Sequence, residues 1–121
     1  MNILFRFRDF PVYKKAKEFR KLVKNVLNKF PSSERYGLID QITRAADSIC
    51  LLIAEGSNRK SDKDKAHFLN QALTSLEEVI AGFDLGLDDR YITIQEMDTI
   101  TTSGEELGKQ LLGFAKALYR S

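Results

Sequence analysis

Apolar residues step by four and three along four successive blocks of this chain, a spacing that fits one face of a helix and not a strand. In the first block Val12, Ala16, Phe19, Val23, Val26 and Phe30 keep that step between two prolines. Pro11 suits a first helical turn, where no amide hydrogen is needed, and Pro31 halts the helix, so the spacing predicts a helix over residues 11–30. Lys14, Lys17, Lys21 and Lys24 lie on the opposite face, which makes this helix strongly amphipathic.

A second helix is predicted over residues 33–55, capped by Ser32 or Ser33 and stopped by a left-handed Gly56. Successive 100° rotations gather Leu38, Ile39, Ile42, Ala45, Ala46, Ile49, Cys50 and Ile53 into an apolar arc about 160° wide. The arc marks a central, heavily buried helix. Ser61 with Asp64 resembles a capping box and opens a third helix, residues 62–85, whose seam is Leu69, Leu73, Leu76, Ile80 and Phe83. Thr93 with Glu96 repeats the box before a fourth, residues 94–119, with Met97, Ile100, Gly104, Leu107, Leu111, Phe114 and Leu118 on its seam. Gly104, Gly108 and Gly113 either let this helix approach a neighbour or mark a softer element.

Short connections make sequential helices antiparallel neighbours. The expected fold is therefore all-α, an antiparallel up-down four-helix bundle over residues 11–121 preceded by an arm, residues 1–10. The alternating Phe5-Arg6-Phe7-Arg8 is too short to build a sheet. Hydrophobic residues at 43% and charged residues at 30% are enough for one core and too apolar for disorder. Arg6, Arg8 and Asp9 interrupt the apolar run a signal peptide needs, and no segment approaches a membrane span, so a cytoplasmic setting without membrane contact is expected.

Catalytic readings do poorly. The one cysteine, Cys50, falls in the buried arc, away from the one histidine, His67. Asp64 and His67 have the spacing of a metal-binding pair, but a di-metal bundle needs a second histidine. No glycine-rich phosphate loop is present. The expectation is a protein with no catalytic residues, no metal and no cofactor.

Two surfaces remain. Residues 1–30 hold nine lysines and arginines against two acids, while residues 61–90 hold three against seven. In the basic stretch Arg6, Arg8, Lys14, Lys15, Lys17, Arg20, Lys21 and Lys24 could line a ridge that neutralises a nucleic-acid backbone, or they could simply solvate a helix face. On the second helix Glu34, Gln41, Ser48 and Glu55 recur every seven residues, with Arg44 and Arg59 near the same line. Leu51 and Leu52 lie at or beside this stripe and outside the main arc. Aliphatic residues beside complementary charge suit a seam between subunits, in which Arg44 bonds Gln41 or a carboxylate and Glu55 pairs with Arg59. Leu52→Glu is then expected to disrupt the oligomer.

Particular runs add a resemblance: Phe7-Arg8-Asp9-Phe10-Pro11-Val12-Tyr13-Lys14-Lys15-Ala16, Glu34-Arg35-Tyr36-Gly37-Leu38, Arg44-Ala45-Ala46 and Ile53-Ala54-Glu55-Gly56 with Arg59. The chain resembles the bacterial four-helix-bundle family named for proteins encoded in intervening sequences of 23S ribosomal RNA genes. The resemblance implies a homo-oligomeric ring, a pentamer, and relatives that serve as accessory proteins to reverse transcriptases in diversity-generating retroelements and bind RNA or DNA through a basic surface. Thr43, Leu52 and Thr74 depart from the family pattern, which has arginine, asparagine and glycine there. The leading expectation is a non-enzymatic oligomeric scaffold or accessory protein associated with RNA; the alternative is a protein-interaction adaptor that binds no nucleic acid.

Overall fold

The computed structural model describes residues 4–120, with side chains through Lys116. Four helices carry the fold: α1 (Pro11–Leu27), α2 (Leu38–Ser57), α3 (Asp62–Asp88) and α4 (Ile94–Arg120). α1 packs on α2 and α4, and α3 packs on the same two, so α1 and α3 occupy diagonal corners of an antiparallel four-helix bundle. Its centre is dry. Phe19 and Val23 of α1 meet Ile42 and Ile49 of α2, Val79 and Phe83 of α3, and Ile100, Leu107 and Leu111 of α4, all almost fully buried. Leu118, expected on the fourth seam, lies outside the described side chains.

The helix ends show where local signals are overridden. α1 stops at Leu27, short of the expected residue 30, because Asn28, Lys29 and Phe30 donate to carbonyls three residues back and tighten the last turn. Pro31 disfavours helical geometry at Phe30, so the chain has already turned when it arrives.

α2 begins at Leu38 and not at 33. Ser32–Glu34 form a separate 3-10 turn, and neither serine caps α2. The Glu34 carboxylate does so instead: Oε1 accepts from the Leu38 amide at 3.2 Å, and Oε2 accepts from the Tyr91 hydroxyl at 2.9 Å. A Cβ on Gly37 would stand 2.6 Å from Glu34 Oε1, so the glycine makes room for this cap.

Gly56 does not end α2 in a left-handed turn. It has no positive φ, lies buried inside the helix, and faces Phe68, whose Cβ would be 2.8 Å from any Cβ added there. Gly82 likewise sits against Ile42, and Gly86 against the Phe30 ring. These glycines bring α3 close to α2 and to the α1–α2 turn.

α3 runs three residues beyond its expected end, through Asp88. Arg90 closes it in the left-handed region at φ 64, with Tyr91 N donating to Gly86 O at 2.8 Å and Arg90 N to Leu87 O at 3.0 Å. At the N-terminus of α3 the Ser61 hydroxyl accepts from Asp64 N, half of a capping box. α4 has the whole box: Glu96 N donates to Thr93 Oγ1 at 3.1 Å, and Thr93 N donates to Glu96 Oε1 at 2.9 Å.

Residues 6–10 fold back onto the bundle. Arg6–Asp9 form a 3-10 turn against α1 and α2, with the Phe7 ring edge-on to Tyr13 and Phe10 against Phe114.

Candidate nucleic-acid interface and assembly face

α1 projects its lysines because its apolar positions are held by the core. Lys14, Lys17, Lys21 and Lys24 are exposed and make no ion pair among the described residues. Lys17 stands 5.1 Å from the Tyr13 ring centre, and Arg8 stands 5.3 Å from that of Phe5. Arg6 lies at an apolar cavity of about 60 Å³ floored by Val12, Ile53 and Leu69.

Two of the eight expected phosphate contacts are already engaged. Lys15 donates to Glu106 of α4 at 2.7 Å, and Arg20 donates to Asp47 of α2 at 2.6 Å. The bond to Asp47 holds the Arg20 guanidinium above its ordinary pKa, and the bond to Lys15 holds the Glu106 carboxyl below the usual carboxylate range. Both pairs fasten α1 to neighbouring helices. The basic ridge therefore narrows to Lys14, Lys17, Lys21 and Lys24, with Arg6 and Arg8 at its N-terminal end. Sequence reasoning missed Asp47 and Glu106, whose partners lie on other helices.

The residues of the heptad stripe on α2 fall in several different local environments. Glu34 precedes the helix and serves as its cap, out of line with Gln41. Ser48 turns inward, where its hydroxyl meets that of Ser75 on α3 at 3.2 Å. Arg44 bonds Asp40, one turn back, at 3.2 Å, and Arg59 stacks on the Phe68 ring at 4.5 Å in place of the expected pairing with Glu55. Leu52 is half-buried against the core, and Leu51 is 60% exposed. Exposed on this face are Gln41, Arg44, Leu51, Glu55 and Arg59.

Cys50 is buried, and burial pushes its thiol above the ordinary range, with Arg20 opposing weakly. His67 is exposed beside Gln71. Among the described residues no group of three or more His, Cys, Asp or Glu could hold a metal ion, and no helix is long and apolar enough to cross a membrane.

Four packed helices, with no strand among the described residues, place the chain among all-α four-helix bundles. Residues 8–113 match the family described as 23S rRNA-intervening sequence protein, and the chain belongs to that family. It is also similar to a crystal structure from Bacteroides thetaiotaomicron, described as a protein with unknown function from the S23 ribosomal protein family. The two share 30% sequence identity over 87% of this chain and 98% of that one, with a TM-score of 0.77. Among curated proteins none matches.

Proposed function

We propose that this protein is a non-enzymatic, oligomeric nucleic-acid-associated scaffold, with the exposed side of α1 binding the phosphate backbone. The observation that carries this reading is the run of four exposed lysines, 14, 17, 21 and 24, standing apart from the ion pairs that fasten α1 to the bundle. Flexible ammonium groups on one helix face contact phosphates as point charges and read no base sequence. Membership of a family named for 23S rRNA-intervening sequences makes RNA the first polyanion to test. In an assembly of several copies each subunit would repeat the ridge, so weak single contacts would add up to avidity.

The test is binding of a single-stranded RNA across a salt series. Reversing Lys14, Lys17, Lys21 and Lys24 to Glu should abolish binding, and each single reversal should flatten the log–log salt slope by about 0.7 for every phosphate left without its cation. Unaltered affinity in the quadruple variant overturns the assignment and favours the adaptor reading. For assembly, Leu51→Glu is the informative substitution, because Leu52 also packs on the core and its replacement would disturb folding. A smaller particle in light scattering is the expected result.

A further inference from the structure

The face across the bundle from the α1 ridge has the opposite electrical character and a different shape. An open groove of about 430 Å³ runs between α3 and α4. Its floor is apolar: Leu76 and Ile80 from α3, and Gly104 and Gly108 from α4, whose missing side chains leave the seam low, with exposed Ala81 at the α3 edge. Glu77 and Asp84 stand on one rim and Glu105 on the other. These three carboxylates are exposed, none forms an ion pair among the described residues, and no residue lining the groove is basic.

We infer that this groove is a docking site for a cationic amphipathic helix of a protein partner. Glu77 and Asp84 are seven residues apart, two turns or about 10.5 Å along α3, so lysines or arginines two turns apart on a docked helix would meet both. Aliphatic side chains between those cations would enter the groove and cover Ile80 and Ala81, the arrangement by which amphipathic helices seat in grooves. Carboxylates on both rims favour a basic partner and repel an acidic one. A second copy of this chain fits poorly as the occupant. Its basic helix is α1, whose aliphatic side chains are buried in its own bundle except for Leu22, itself half-buried against the core, leaving lysines, Glu18 and Asn25 outermost and no fully exposed aliphatic knob to fill the floor. This inference is independent of RNA binding, because no α1 residue lines the groove.

The probe is a fluorescent, terminally blocked peptide of about 15 residues built from Leu, Ala and Lys, with one leucine stripe flanked by lysines. It is titrated into the full-length protein by anisotropy. Saturable, salt-sensitive binding is expected, weakened by at least about tenfold on replacing the leucine stripe with alanine or the lysines with glutamate. The triple variant Glu77→Lys, Asp84→Lys, Glu105→Lys and the groove-filling Ala81→Trp should each weaken it similarly, with helical circular dichroism and melting retained. The lysine reversals on α1 should not weaken peptide affinity. The inference is overturned by failure of the peptide to bind, by equal binding of the alanine-stripe peptide, or by binding that survives both groove variants. Loss of the native oligomer in the triple variant also overturns it, by showing that a second copy occupies the groove.

Discussion

α3 and α4 are both 27 residues long, and both carry glycines inside the helix, yet the glycines have opposite physical meanings. On α3, Gly82 and Gly86 are buried against Ile42 and the Phe30 ring, so the absence of a side chain sets how near two elements lie. On α4 the effect fades along the helix. Gly104 faces Ile80, where an added Cβ would stand at 3.1 Å; Gly108 has only Leu76 at 3.4 Å; Gly113 has nothing within 4 Å. The same residue type is a spacing device in one helix and, toward the end of the other, only a loss of helical propensity.

The most direct way to break this comparison is Gly82→Ala. Its Cβ would lie 2.5 Å from Ile42 Cγ1 in the middle of the α2–α3 contact, so α3 must shift or Ile42 must leave its position. The expected loss is about 1–3 kcal/mol, read from the midpoint of urea unfolding. Retained stability would mean that the α2–α3 spacing is softer than the buried contact implies. Next in size is Thr93→Ala, which removes the N-cap hydroxyl of α4 and should cost about 1 kcal/mol in the same assay. Gly113→Ala runs the other way, with a gain of about 0.5–1 kcal/mol, because the new methyl group meets nothing and the helix gains propensity.

The smallest effect is a pH dependence at the α4 cap. The Thr93 amide holds the Glu96 carboxyl below its ordinary pKa, so the folded protein binds that proton less readily than the unfolded chain. The contribution is complete above the unfolded carboxylate range and lost as pH falls through the depressed value. An NMR titration of the Glu96 side chain should show the downward shift, and Thr93→Ala, which keeps the amide and removes only the smaller contribution of the hydroxyl, should reduce it in part.

The four-helix architecture was legible because the three-four step of apolar residues is a local property that burial rewards directly. Ile42, Ile49 and Phe83 are core residues on that ground alone. Helix ends were less legible. α2 begins at Leu38 because a carboxylate anchored by Tyr91, 57 residues from Glu34, caps it, and no window around Ser32 contains that partner. Gly56 carries the composition of a helix stop and is read otherwise only once Phe68 of the next helix is in place.

The candidate ridge divides in the same way. Lys14, Lys17, Lys21 and Lys24 follow from helical phase, whereas the engagement of Lys15 and Arg20 depends on Glu106 and Asp47, 91 and 27 positions away. The heptad phase of the α2 stripe does not extend back to Glu34, because the helix begins only at Leu38. The groove between α3 and α4 left only an imprecise trace, the acidic balance of residues 61–90.

The hydrogen bond from Tyr91 to Glu34 ties the α1–α2 turn to the α3–α4 turn, and this bears on the order in which the bundle forms. Pairing of α2 with α3, or of α3 with α4, requires only that a short hairpin close. Joining the two turns closes a loop of 57 residues, at a greater entropic cost, and is expected late on the folding path. Tyr91→Phe should therefore accelerate unfolding while leaving refolding nearly unchanged, measured by stopped-flow fluorescence across a denaturant series. In kinetic terms, the contact is a clasp on the finished bundle and not part of its nucleus.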